Sequence, residues 1–332
     1  MINIAVLGAG RIGRIHARNA ASTPSCRLVA VADPFGSAAR DLAAQLGCRA
    51  EQDPAALIAD PGIDAVVIGT PTDTHVDLML QAARAGKAVL CEKPIDLDIA
   101  RAEAAASEVE ALGGRVMVAF NRRFDPSSLA LRAAIEAGEV GDLRQVVITS
   151  RDPAPPPADY LRHSGGIFRD MVIHDFDMAR YLLGEEPVAV VATASCLVDP
   201  AIGSLGDDDT VMVLLRTASG RQCHINACRS ASYGYDQRFE VFGSAGMLLN
   251  DNLRPDTVRR YDAHATESRK PLLNFFLERY DQAYRTELER FVQAVTAGSP
   301  MPVTLHDGLQ ALRLADAALH SAREGRMVQL PG

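Results

Sequence analysis

The chain has 332 residues, 48% of them hydrophobic and 23% charged, and a formal net charge of −8. With a mean hydropathy of +0.01, this composition describes a globular protein, too long for one typical core and so expected to hold two domains. The acidic excess excludes nucleic acid or an anionic membrane as partner, because no surplus of Lys and Arg is there to neutralise phosphates.

No apolar run approaches the roughly 18 residues of a membrane helix. MINIAVLGAG at the start lacks the basic and apolar regions of a signal peptide, so a cytoplasmic protein is expected. The six cysteines form no CxxC and the eight histidines no HExxH, so neither disulfides nor a metal site is expected.

Residues 1–120 alternate between β-branched runs (NIAVLG, RLVAVAD, DAVVIGT, AVLCEKP, RVMVAFN) and alanine-rich helical stretches at 36–47, 74–86 and 98–112. That alternation predicts βαβ units and a parallel sheet. The runs are apolar throughout, as expected when helices cover both faces. The first strand enters Gly8-Ala9-Gly10-Arg11-Ile12-Gly13 and then a helix. These glycines allow a tight turn, backbone approach to a pyrophosphate and close helix packing, with the phosphates at the positive helix end. Asp33 ends the next strand, placed to accept ribose hydroxyls. No Arg or Lys follows it closely and a carboxylate repels a 2′-phosphate, so NAD is expected rather than NADP.

Ligands of such sheets bind beyond the carboxyl ends of the strands. There the sequence places Thr70 and Pro71 as walls for the cofactor, His75 at the start of the next helix, and Glu92 and Lys93 ahead of Pro94. Arg122 and Arg123 follow the sixth strand, and Arg123 is a candidate substrate contact.

Beyond residue 120 the pattern changes. A helix is expected near 124–138, a proline-rich loop at 153–159 and a single helix over 165–184. Strands are expected at 143–151, 188–198, 209–217, 221–229, 238–243, 246–250 and 256–261, then helices at 275–297 and 306–324. In the helix GGIFRDMVIHDFDMARYLLG, Asp170, His174, Asp177 and Tyr181 fall within an arc of about 60° on an otherwise apolar cylinder. The fold class is thus α/β. A doubly wound Rossmann sheet occupies 1–120, and an α+β domain with a large, mainly antiparallel sheet occupies 121–332.

GxGxxG, Asp33, EKP at 92–94 and the 165–184 segment together resemble the Gfo/Idh/MocA oxidoreductases. FNRRFD, SRDPAPPP and YGYDQRFEVFGSAGM (233–247) narrow the similarity to that family's inositol 2-dehydrogenase group. The resemblance spans essentially the whole chain. It implies NAD-linked oxidation of a ring hydroxyl, a C-terminal sheet used for assembly, often into homotetramers, and a catalytic set of Lys93, Asp170 and His174.

A hydroxyl oxidised to a ketone must lose its proton, and histidine titrates near working pH. In this reading His174 is the base, Asp170 supports the imidazolium, and Lys93 stabilises the negative charge developing on oxygen. Asp177 is read as structural. Arg123, Asp152 and Tyr235 are the remaining candidate contacts for a neutral cyclic polyol, myo-inositol being the first choice. A sugar, deoxysugar or scyllo-inositol dehydrogenase of the same family is the alternative. A non-catalytic nucleotide sensor on the same fold is a third reading, against which the Lys93–Asp170–His174 combination counts.

Overall fold

The structure is a computed structural model and describes residues 1–330. It divides into two compact units, 1–124 with 283–313, and 125–282 with 314–330.

In the first unit the strands are β1 (Ile2–Leu7), β2 (Cys26–Ala32), β3 (Arg49–Glu51), β4 (Ala65–Ile68), β5 (Ala88–Glu92) and β6 (Val116–Ala119). They form one parallel sheet in the order β3-β2-β1-β4-β5-β6. Helices α1 (Arg11–Ser22), α2 (Gly36–Leu46), α3 (Pro54–Ala59), α4 (His75–Arg84) and α5 (Ile99–Ala111) connect them. This is the doubly wound order, with its switch point between β1 and β4. Strands β4, β5 and β6 are buried at every position, which is why their sequences show no alternation. Residues 283–313 complete this unit. Gly308 packs where a built Cβ would lie 2.6 Å from Ile95 Cδ1, and the Val118 N–H donates to Val303 O.

In the second unit the elements run α6 (Pro126–Glu136), β7 (Leu143–Arg151), α7 (Ala158–Leu161), α8 (Gly166–Asp170), α9 (Ile173–Leu183), β8 (Pro187–Ser195) and α10 (Pro200–Ser204). Then follow β9 (Thr210–Thr217), β10 (Gln222–Cys228), β11 (Asp236–Gly243), β12 (Met247–Leu249), a short hairpin of β13 (Arg259–Arg260) and β14 (Ser268–Arg269), and α11 (Phe276–Arg279). Helices α12 (Asp281–Ala297) and α13 (Leu305–Glu324) each contribute residues to both units, and β15 (Val328–Gln329) ends the described chain.

Seven strands pair in the order β12-β11-β7-β10-β9-β8-β15. All neighbours are antiparallel except β7 and β10. Period-two alternation sets the two faces. Val211, Val213 and Leu215 of β9 point into a core shared with Phe176, Ala179 and Leu183 of α9, while Met212 and Leu214 stand 57% and 56% exposed on the other face.

Two helix expectations are corrected. Residues 165–184 form two helices rather than one. Ile167 O accepts from both Met171 N and Val172 N, so the turn widens and α9 begins afresh at Ile173. Residues 275–297 are likewise interrupted, at Tyr280, where φ is −113° and the helical path is left.

Candidate functional site

The glycine-rich turn after β1 is built by close approach. Gly8 has φ +102°, and a Cβ there would sit 2.5 Å from Gly69 O; one at Gly13 would sit 2.0 Å from Gly8 O. Both positions admit only glycine. Gly10 differs, since a Cβ there would meet nothing within 4 Å. The loop therefore leaves open space over the start of α1. No side chain caps that helix and its first turn carries no acid. A positive helix end with no acid in its first turn and open space before it fits the pyrophosphate of a dinucleotide.

Asp33 stands beside this turn. Its Oδ2 accepts from Ala9 N at 2.7 Å and its Oδ1 from Phe35 N at 2.9 Å, which holds the carboxylate at the carboxyl end of β2. Thr70 and Pro71 begin the loop after β4, where the Thr70 and Thr74 hydroxyls lie 2.6 Å apart. His75 is 1% exposed, with Nδ1 2.8 Å from Pro94 O and Nε2 3.0 Å from Thr70 O. Its ring thus ties the loop after β4 to the loop after β5.

Glu92 is also drawn inward. Its Oε1 lies 2.9 Å from Nε2 of fully buried His16, and its Oε2 accepts the Lys93 N–H at 3.3 Å. Tyr284 meets the His16 ring edge-on at 5.7 Å. Glu287 is fully buried in the same unit, and neither of its oxygens has a hydrogen-bond partner among the described residues. Burial, reinforced by the Glu92 charge, pushes its carboxyl well above the ordinary range. Lys93 itself is half-buried and precedes Pro94 through a cis bond. Arg123, 9% exposed, donates to Asp307 Oδ1 at 2.9 Å.

In the second unit Asp170 ends α8 and is 8% exposed. Tyr160 donates its hydroxyl to Asp170 Oδ1 at 2.7 Å, and Arg229 Nη1 lies 3.4 Å from Oδ2. His174 is half-buried in the first turn of α9. Asp177, 1% exposed, faces Arg180 at 3.6 Å, and Arg180 in turn pairs with Glu186. Asp170 thus closes α8 and His174 opens α9 across the widened turn at 171–172, while Asp177 faces the Arg180–Glu186 ion pair. Tyr235 is 4% exposed, edge-on to Phe275 and Tyr280 at 6.4 and 6.0 Å. Asp152 is half-buried, its N–H donating to Cys228 O at 3.0 Å.

Three buried polar groups of these neighbourhoods escape the motifs: His16, Glu287 and Arg229. Spacing carries a signal for two of them. His16 shares the buried helix face of Gly13, Ala17 and Ala20. Arg229 continues the inward parity of Cys223, Ile225 and Ala227.

A family model described as an oxidoreductase family NAD-binding Rossmann fold matches residues 2–120, and that family's C-terminal alpha/beta domain matches 132–330. An inositol 2-dehydrogenase of Rhizobium meliloti is 51% identical over 329 residues, 99% of each chain. A myo-inositol dehydrogenase of Corynebacterium glutamicum superposes with a TM-score of 0.97 at 48% identity, covering 100% of this chain and 99% of that one. The scyllo-inositol dehydrogenase of Lactobacillus casei, solved with NAD(H) and scyllo-inositol, gives a TM-score of 0.92 at 29% identity over 99% of both. The chain belongs to the Gfo/Idh/MocA family of oxidoreductases, and its first 120 residues carry that family's NAD-binding Rossmann fold.

Proposed function

We propose that the protein oxidises one ring hydroxyl of a cyclic polyol to a ketone with NAD, myo-inositol to 2-keto-myo-inositol being the leading reaction. The observation that carries this reading is the end-to-end similarity, at 51% identity, to a protein named inositol 2-dehydrogenase. In this reading Gly8, Gly10, Arg11, Ile12 and Gly13 hold the pyrophosphate, Asp33 the adenosine ribose, and Thr70 and Pro71 flank the cofactor. His75 and Glu92 support those loops through the contacts described above.

Bound NAD supplies the hydride acceptor. The chain's own groups handle the proton and the charge: His174 takes the hydroxyl proton, Asp170 favours the imidazolium that results, and Lys93 hydrogen-bonds the reacting oxygen. Arg123, Asp152 and Tyr235 contact the remaining hydroxyls. The protein acts in the cytoplasm in polyol catabolism, as a homotetramer assembled through the open face of the seven-stranded sheet.

A second reading, scyllo-inositol as substrate, is favoured by the likeness to the Lactobacillus casei enzyme. Following NADH formation with myo-inositol, scyllo-inositol, glucose, galactose and xylose tests both. The expected result is highest kcat/KM with myo-inositol. Highest kcat/KM with scyllo-inositol selects the second reading, and preference for an acidic or phosphorylated sugar contradicts both.

A further inference from the structure

The geometry points to Arg229 as the positioning residue that aims the Asp170 carboxylate, acting through Asp170 rather than on substrate. This rests on the assignment of Asp170 to the proton-transfer set. Arg229 is 1% exposed and follows β10, its N–H donating to Asp209 O at 2.8 Å. Its guanidinium lies between two carboxylates, with Nη1 3.4 Å from Asp170 Oδ2 and Nη2 3.3 Å from Asp207 Oδ2.

Asp207 in turn grips the other end of the same five-residue helix. Its Oδ1 accepts from Ile167 N at 2.8 Å. Gly166, at φ +83°, is the residue that lets it approach, since a Cβ there would lie 2.9 Å from that oxygen. Helix α8 is thus fastened at its start by Asp207 and at its end by Arg229, with Tyr160 holding the second oxygen of Asp170.

A five-residue helix has too few internal bonds to fix a terminal side chain by itself. Helix α8 ends at the widened turn at 171–172, before α9 begins at Ile173. Orientation of Asp170 must therefore come from outside the helix, and the planar guanidinium fork supplies it. Arg229 also gives Asp170 a cationic neighbour. Nothing else in the reading uses this buried cation, and a charge so placed is costly unless paired.

The test is a double-mutant cycle of Arg229→Met and Asp170→Asn, with kcat normalised to the NAD-binding fraction. Arg229→Met alone should lower kcat about 10- to 100-fold, the worth of a hydrogen bond to a charged group. KM for NAD should stay within about twofold, as expected for a group that acts only on the chemical step. Placed on Asp170→Asn, the same change should cost less than about twofold more, because its target is already gone. Should Arg229→Met fail to fold, Arg229→Lys carries the cycle: it keeps the charge, loses the fork, and should lose kcat without raising KM for NAD. A full, multiplicative loss in the Asp170→Asn background, or native kcat in the folded Arg229 variant, overturns the proposal while leaving Asp170 in place. Native kcat in Asp170→Asn alone overturns the assignment of Asp170 itself, and the proposal with it.

Discussion

His16 Nε2 and Glu92 Oε1 lie 2.9 Å apart in a buried contact, joining the helix that follows the glycine-rich turn to the end of β5. The helix start and the residue before Lys93 are therefore mechanically linked. The same unit holds Glu287, fully buried with both oxygens unpartnered among the described residues. Burial in that position disfavours the charged form of the carboxyl.

Glu287 yields a pH-dependent stability. Its folded-state carboxyl is pushed well above the ordinary 4.5, first by burial and then by Glu92. The folded state then holds a proton that the unfolded chain releases above its own pKa. The stabilisation is complete below that pKa and is lost as pH rises towards the folded value, by about 1.4 kcal/mol per pH unit. Glu287→Gln keeps the shape without the titration. Its stability relative to the native protein should rise as pH climbs above the ordinary carboxyl value of 4.5 in urea titrations; a pH-independent difference would show that Glu287 ionises normally.

Cofactor choice should rest on Asp33. Asp33→Ala removes the charge offered to the ribose and should lower kcat/KM for NAD about 10- to 100-fold, as for other charge-assisted hydrogen bonds. NADP should lose less, because its 2′-phosphate no longer meets a carboxylate. Kinetics with both cofactors check this. An unchanged NAD to NADP ratio contradicts it.

Assembly should depend on the exposed face of β9. Met212 and Leu214 stand out on a sheet whose opposite face is buried against helices, and exposed apolar pairs of this kind mark contact surfaces. Leu214→Glu should reduce the mass measured by light scattering from that of a tetramer to that of a smaller species, with little loss of secondary structure. A monomeric native protein at micromolar concentration contradicts the arrangement.

Local chemistry explains how much of this could be read in advance. The parallel sheet, the glycine turn and Asp33 are written in contiguous residues, and β9 and β10 declare their faces by alternation. The break between α8 and α9 was not legible, because Met171 and Val172 are ordinary helix residues and the widened turn comes from one carbonyl, Ile167 O, taking two donors. Glu92 reads in sequence as a surface or ligand-edge acid. Its burial depends on His16, 76 positions away. Arg229 meets Asp170 across 59 positions and Asp207 across 22, contacts that no motif spacing encodes. The return of 283–313 to the first unit is equally a tertiary event, since α12 and α13 look like any amphipathic helices.

The most direct measurement is kcat of His174→Ala on polyol oxidation, taken with NAD affinity and melting temperature on the same preparation. If His174 removes the hydroxyl proton, kcat should fall by a factor of roughly 10² to 10⁴, about 2.7–5.4 kcal/mol of barrier. NAD affinity and melting temperature should stay near native. Lys93→Ala and Asp170→Asn should impair the same step, non-additively with His174→Ala, because groups that act together lose their effect together. A His174→Ala protein that keeps more than about a tenth of native kcat falls short of even the low end of general-base catalysis and contradicts the proton-transfer account.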